Sequence, residues 1–184
     1  MRMQMSKILA ALVPLVLGLG VFFTLSAWPA GRMTGGGSFF VGDLRVTHGF
    51  ELYCQPESGD PVGPNNLEVN WGPGDHFHLE NLVQGYCQLG PDPTPPAAPI
   101  SIYYGVGTGS FDGVEGYCAQ WTFIDAGEPG TSDTAWIKIT NGVPTGTLPP
   151  GKTCTAGTTT VLNAFNLLTF GNHQAHFLTG GKSF

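Results

Sequence analysis

The sequence has few charged residues, and few of those are basic. Only 11% of the 184 residues are Asp, Glu, Lys or Arg, and 7 basic side chains stand against 13 acidic ones. Nucleic acids and anionic membrane surfaces attract proteins with basic patches, so this composition argues against both as partners. It suits an extracellular domain with an acidic surface, which tolerates divalent cations.

The sequence also lacks the short motifs of well-known catalytic sites. It has no G-x-S-x-G elbow, no H-E-x-x-H helix and no phosphate-binding loop. No two cysteines have the C-x-x-C spacing of a zinc or redox site. Paired carboxylates for glycoside hydrolysis cannot be singled out by spacing among the acidic residues. We therefore expect a protein that is not an enzyme, and an extracellular hydrolase is the last alternative.

Long apolar stretches are absent except near the N-terminus, where residues 8–28 follow Arg2 and Lys7. Two positive charges before an apolar run are typical of an export signal, so we assign residues 1–30 to a signal peptide. A retained membrane anchor is the alternative, and it would be the only membrane contact. Residues 31–184 then form one domain with 5 basic and 13 acidic side chains, a net charge of −8. We expect it to be secreted or at the cell surface, with the periplasm as the alternative.

Cysteine is scarce, but its count is even. Cys54, Cys87, Cys118 and Cys154 allow three pairings, and an exported chain normally oxidises its cysteines. We favour Cys54–Cys87 with Cys118–Cys154, because joining neighbours in sequence closes two compact loops. Each bond is expected to stabilise the fold by about 3–4 kcal/mol through the chain entropy of the unfolded state.

Alternating apolar residues predict strands in most of the chain. Residues 44–54 give the clearest case, with Leu44, Val46, Phe50 and Leu52 on one side and polar residues on the other. Glycine, proline and Asn-Gly or Asp-Gly turns separate about eight to ten such segments. We predict an all-β, antiparallel β-sandwich or jelly roll, stabilised by disulfides.

Some local assignments are less direct. Residues 31–37 are predicted to be a glycine-rich leader before a first strand at 38–41, and residues 91–99 an exposed proline-rich linker. Residues 161–170 have a spacing compatible with a helix, but their β-branched start favours a strand. A turn is expected at Gly171 and Asn172.

Histidines suggest a metal site. His76, His78 and Glu80 alternate along one predicted strand, so their side chains share a face and have ligand types that zinc uses. The alternative is a polar outer face. His48 lies on the apolar side of its strand and is expected in the core, hydrogen-bonded to backbone or to a neighbouring strand. The alternative is a tertiary cluster of His48 with His173 and His176.

A second candidate for a metal lies in the loop 125–133. Asp125, Glu128 and Asp133 could bind calcium together with backbone carbonyls. The spacing is not that of an EF-hand loop. The alternative is a turn whose carboxylates accept backbone hydrogen bonds.

Aromatic residues and the two ends of the chain suggest binding functions. Tyr103, Tyr104, Trp121 and Trp136 occupy opposite faces of their strands, so some must point outward and could stack on sugar rings. Cross-strand packing is the alternative. Residues 34–40 (TGGGSFF) also resemble residues 179–184 (TGGKSF), which would allow head-to-tail assembly by strand addition.

Several longer segments resemble a group of exported bacterial β-rich domains found in surface proteins with immunoglobulin-like repeats. These segments are TGGGS at 34–38, RVTHGFEL at 45–52, PNNLEVNW at 64–71, DAGEPG at 125–130 and GNHQAH at 171–176. The resemblance implies an extracellular β-rich domain and transfers no catalytic residues.

We therefore expect a non-catalytic surface or matrix domain acting in adhesion, extracellular assembly or ligand binding. Its partner would be a second copy of the chain or a cell-surface or matrix glycan. The alternative is a module that binds carbohydrate, calcium or zinc.

Overall fold

A computed structural model describes residues 31–54, 63–89, 100–146, 152–155 and 159–177. The expected signal at 1–30, the linker at 91–99 and the repeat at 179–184 lie outside these residues. The described residues include a 3-10 turn at Gly130–Ser132 and these strands: β1 Gly31–Val41, β2 Leu44–Tyr53, β3 Asn66–Trp71, β4 Asp75–Gln88, β5 Ile102–Phe111, β6 Val114–Ile124, β7 Thr134–Thr140, β8 Pro144–Thr145, β9 Thr153–Cys154, β10 Thr160–Leu167 and β11 Phe170–Phe177.

Nine strands form one antiparallel sheet in the order β10-β7-β6-β5-β4-β3-β2-β1-β11. The sheet curls, so that its two halves face each other across the core as the layers of a sandwich do. The two strands at its ends, β10 and β11, are consecutive in the chain. β8 and β9 form a separate small hairpin. The predicted all-β antiparallel fold is confirmed. Residues 161–167 form a strand, β10, and not a helix, and residue 170 already belongs to β11.

The core follows from the alternation that the sequence shows. In β2, Val46, His48, Phe50 and Leu52 are buried, while the residues between them are partly exposed. Phe50 stacks on Phe123 of β6 with ring centroids 4.3 Å apart, although β2 and β6 are not neighbours in the sheet. This contact shows that the inner faces of the two halves meet directly.

The predicted start of the first strand was wrong. β1 begins at Gly31 and pairs along its length with both β2 and β11. Glycine is needed there for close packing of backbones: a Cβ on Gly36 would lie 2.6 Å from the carbonyl oxygen of His48. The glycines that suggested a flexible leader instead allow three strands to pack tightly.

The predicted turn at Gly171 and Asn172 was also misplaced. The chain turns at Leu168 and Thr169, and Gly171 lies inside β11 opposite Gly37 of β1. A Cβ on Gly171 would collide with the backbone of Gly36 and Gly37. This glycine is therefore required by packing within the sheet and not by a reversal of the chain.

Both favoured disulfides are present. Cys54–Cys87 joins the end of β2 to β4 within the core, and Cys118–Cys154 joins β6 to the β8–β9 hairpin. The Cα atoms are 5.5 and 5.7 Å apart. Two such bonds indicate an oxidising compartment, extracellular or periplasmic. None of the described residues forms a helix long and apolar enough to cross a membrane.

The sheet closes where β10 ends beside β1. The Asn166 side chain donates to the Phe40 carbonyl oxygen at 2.7 Å, and the Thr169 amide donates to that of Ser38 at 2.8 Å. At the other end of β1, Gly31 lies opposite Phe177. The first half of the sequence repeat therefore lies within β1, between β2 and β11, and self-association by strand addition stays a prediction.

Candidate functional site

The strand β4 presents His76, His78 and Glu80 on its outer face, as expected. The histidines, however, share a different carboxylate, that of Glu68 on the neighbouring strand β3. His76 Nε2 lies 2.6 Å from one Glu68 oxygen, and His78 Nδ1 contacts the other. Among the described residues, Glu80 forms no hydrogen bond or ion pair with either histidine. The reason is the strand register, which places Glu68 opposite His78.

The loop 125–133 uses its carboxylates to hold the free edge of β11. Asp133 accepts hydrogen bonds from the amides of Ala126 (2.8 Å) and His173 (2.6 Å). Asp125 accepts from the amide of Ala175 at 2.8 Å. We call the loop 125–133 the edge cap, because it satisfies backbone donors that an unpaired sheet edge would leave open.

The other groups of the edge cap support this interpretation. Glu128 accepts a hydrogen bond from the Asn172 side chain at 2.8 Å. A Cβ on Gly130 would lie 2.5 Å from the carbonyl oxygen of Gly171, so the 3-10 turn packs closely on β11. Burial raises the pKa of Asp133 to about 6, although its two backbone donors favour the charged form.

The structure does not assemble the metal-ligand sets suggested by the sequence. Across the described ranges, no three His, Cys, Asp or Glu side chains are arranged to hold a metal ion. Glu80 is separate from the histidine pair that was expected to join it in binding zinc. The carboxylates of Asp125 and Asp133, expected to bind calcium, already accept backbone hydrogen bonds.

Two of the three histidines of the suggested cluster do meet. His48 and His173 are buried, and their Nε2 atoms lie 2.8 Å apart. His173 Nδ1 lies 3.1 Å from the carbonyl oxygen of Ile124, so it must be the protonated nitrogen of that ring. His173 Nε2 is therefore the acceptor, and His48 Nε2 donates to it. His176 points elsewhere and contacts the Thr34 hydroxyl at 2.8 Å.

The environment keeps this histidine pair neutral. Burial lowers the pKa of His48 to about 3, with a smaller effect from His173, and burial lowers the pKa of His173 to about 4. The rings pack against Phe50 and Phe123. The pair is thus part of the core, and its inward position was predictable from the alternation in β2.

The outer face of strands β4, β5, β6, β7 and β10 carries a line of aromatic side chains. Directly opposed residues of successive strands form it, four aromatic and one threonine, and we call it the aromatic row: Tyr86, Tyr104, Thr122, Trp136 and Phe165. At the usual strand spacing, the row extends about 19 Å. Its exposure increases from the nearly buried Tyr86 to Phe165, which is 62% exposed.

The aromatic rings of this row are held in place. Tyr86 and Tyr104 stack with centroids 4.7 Å apart and planes 16° from parallel. The Trp136 indole nitrogen donates to the Asn163 side chain at 3.2 Å. Trp121 and Tyr103 belong instead to the core. The expectation that these aromatic residues divide between the two faces is confirmed, whereas Tyr86 was not recognised.

A second line of outward residues runs beside the first, two positions along each strand. We call it the amide row: Gln84, Val106, Gln120, Lys138 and Asn163. Gln84 and Val106 are buried, whereas Gln120, Lys138 and Asn163 are partly or fully exposed, so these three side chains can form hydrogen bonds with hydroxyl groups. The face therefore combines flat apolar surface with polar groups at a fixed distance from it.

The β8–β9 hairpin forms a wall over this face. The backbone amide of Lys152 donates to Gln84 Oε1 at 3.1 Å, and that of Cys154 donates to Gln120 Oε1 at 2.9 Å. The Cys118–Cys154 disulfide fixes the hairpin covalently. Gln84 Nε2 is buried and has no hydrogen-bond partner among the described residues.

Between the wall and the aromatic row lies a cavity of about 110 Å³. Its lining includes Gln84, Tyr104, Gln120, Trp136, Lys152 and Thr153. This volume is well below the roughly 300–1,000 Å³ of pockets that enclose a small-molecule ligand. A ligand would therefore lie across the face and insert one substituent into the cavity.

Comparisons of the chain with known protein families, curated proteins and solved structures find no match.

Proposed function

We propose that this protein is a non-catalytic extracellular domain that binds carbohydrate on the outer face of β4, β5, β6, β7 and β10. The observation that supports this most strongly is the aromatic row beside the amide row. Sugar rings have apolar faces, which stack on aromatic rings, and hydroxyl edges, which need hydrogen-bond donors and acceptors. The aromatic row and the accessible members of the amide row, Gln120, Lys138 and Asn163, offer both kinds of contact to one ligand.

The chemistry of the face supports binding over hydrolysis. Glycoside cleavage normally requires a pair of carboxylates on either side of the bond. The cavity lining contains no Asp or Glu.

We further propose that the domain is secreted or displayed at the cell surface, where its ligand is a cell-surface or matrix glycan. Two disulfides and the signal-like N-terminus support an exported protein. The resemblance to exported surface domains agrees with this location. Adhesion through a bound glycan is then the simplest role.

The test is a glycan-binding screen with the oxidised protein, followed by calorimetry on the best ligand. We expect Trp136→Ala to weaken binding by about 30-fold or more, as loss of a central tryptophan typically does. Phe170→Ala is the matched control, because Phe170 is an exposed aromatic on β11, outside both rows. Circular dichroism checks that both variants fold.

Two results would contradict the proposal. One is absence of binding to every glycan in the screen by the folded protein. The other is binding that Trp136→Ala and Phe170→Ala reduce equally, because the ligand would then not use the aromatic row.

A further inference from the structure

The proposed binding face differs in charge from the rest of the molecule. The chain has 13 acidic and 7 basic side chains. Of the strands that form this face, β5, β7 and β10 contain no Asp or Glu, and the acidic residues of β4 (Asp75, Glu80) and β6 (Glu115) lie at least four positions along their strands from the two rows. Both lysines that the structure describes, Lys138 and Lys152, lie on this face or in its wall. The part of the face that holds the two rows therefore carries positive charge, although the protein as a whole is acidic.

The two lysines flank the aromatic row on the same side. Lys152 lines the cavity. Lys138 belongs to the amide row and points outward from β7, two residues after Trp136. In the part of the chain that the structure describes, neither ammonium group forms an ion pair. Both charges are thus open to a ligand stacked on Trp136.

We propose that the preferred ligand is an anionic saccharide, whose carboxylate or sulfate groups contact Lys138 and Lys152. This inference rests on the proposed carbohydrate-binding function. The sugar ring stacks on Trp136 and Tyr104, and its charged substituent extends towards the lysines. Lysine acts as a compact point charge without a fixed planar geometry, so this site accepts either kind of anion.

The overall negative charge of the protein does not prevent such binding. At physiological ionic strength, the Debye length is about 8 Å, so distant carboxylates are largely screened. Lysines next to the ligand act over shorter distances and are screened much less. A short oligosaccharide, which stays within the face, is therefore a better probe than a long polyanion.

The experiment measures calorimetric affinities at physiological ionic strength for three short probes: a neutral glucose oligomer, a galacturonic acid oligomer and a sulfated galactose oligomer. We expect at least one anionic probe to bind about tenfold or more tightly than the neutral one, since hydrogen bonds to charged groups are the stronger kind. Comparing the two anionic probes distinguishes carboxylate from sulfate.

Variants then assign the effect to the lysines. The double variant Lys138→Gln, Lys152→Gln is expected to remove the preference for the anionic probe while keeping the affinity for the neutral one. Arg45→Gln removes one positive charge from β2, outside the face, and is expected to leave all affinities unchanged.

The outcomes separate this inference from the proposed function. Equal binding of neutral and anionic probes, or an anionic preference that survives in the double variant, would overturn the inference and leave carbohydrate binding intact. Absence of binding to all probes and to all glycans of the screen would overturn both.

Discussion

The buried pair His48 and His173 shows how two titratable residues can serve as core residues. His48 Nε2 donates its proton to His173 Nε2, and His173 donates its single ring proton, on Nδ1, to the Ile124 carbonyl oxygen. Protonating His173 at Nε2 would place two donors against each other within the core. The native structure therefore requires both rings to be neutral, whereas the unfolded chain protonates them freely below pH 6.5.

This pairing predicts a loss of stability in mild acid. The folded pKa values, about 3 for His48 and about 4 for His173, lie below the unfolded value of 6.5. The two neutral histidines contribute fully to the free energy of unfolding above pH 6.5. This contribution, several kcal/mol in total, is lost as the pH falls towards 4. Asp133 changes the stability in the opposite direction as the pH falls, because its folded pKa of about 6 exceeds its unfolded value of 3.8. Urea unfolding between pH 7.5 and pH 4 measures the net slope.

The variant His48→Gln isolates the histidine contribution. Glutamine keeps an N–H donor for His173 Nε2 but does not titrate, so the loss of stability between pH 7 and pH 4 should be smaller than in the natural protein. A matched control is His176→Gln, because His176 is partly exposed and outside the pair. Identical slopes for the natural protein and His48→Gln would contradict this account.

Among the elements, the edge cap covers the side of β11 that has no neighbouring strand. β11 has one paired neighbour, β1, and the amides of His173 and Ala175 point away from it. Asp133 and Asp125 accept hydrogen bonds from these amides in place of another strand. The acidic loop thus blocks the edge to further strands, as natural sheets commonly require.

We expect Asp133→Ala to expose this edge. Loss of the acceptor leaves a buried amide unpaired, which costs about 1–3 kcal/mol. Hydrogen exchange at His173 should become faster, and the urea midpoint should fall. Glu128→Gln is the control, since an amide oxygen can still accept from Asn172 at an exposed site. Unchanged exchange at His173 in Asp133→Ala would show that the carboxylate is not the essential acceptor.

The elements also show which features the sequence could reveal. Alternation along one strand correctly placed His48 inward and His76 outward, because it depends only on neighbouring residues. The partner of His76, Glu68, depends on the register between β3 and β4, which no local pattern specifies. The aromatic row depends on four such registers at once, so only its individual members could be suspected.

For the whole molecule, the two disulfides have different roles although they close loops of similar length, 33 and 36 residues apart. Cys54–Cys87 connects strands within the core. Cys118–Cys154 holds the β8–β9 hairpin against the outer face of β6, the proposed binding face. Nearest-neighbour pairing was predictable because joining cysteines that are consecutive in sequence closes two compact loops, although neither bond joins the two strands of one hairpin.

Removing each disulfide separately should distinguish these roles. Replacing either cysteine pair by alanine should cost about 3–4 kcal/mol in the chain-entropy model, because the loops are similar. Replacing only Cys118 and Cys154 should also weaken glycan binding, since Lys152 and the wall lose their anchor. The measurements are urea unfolding and calorimetry below the unfolding midpoint. Equal glycan affinities for the two folded variants would contradict the role of the hairpin.

The pairing of Gly31 with Phe177 determines how this domain could be joined to another protein. The first residue of β1 and the last residue of β11 lie side by side, so the polypeptide enters and leaves the sheet at the same place. A host protein could therefore accept the whole unit within one surface loop, with the ends of that loop kept close together. The outer face of β4, β5, β6, β7 and β10 would then project from the host at an orientation set by two attachment points and not by one.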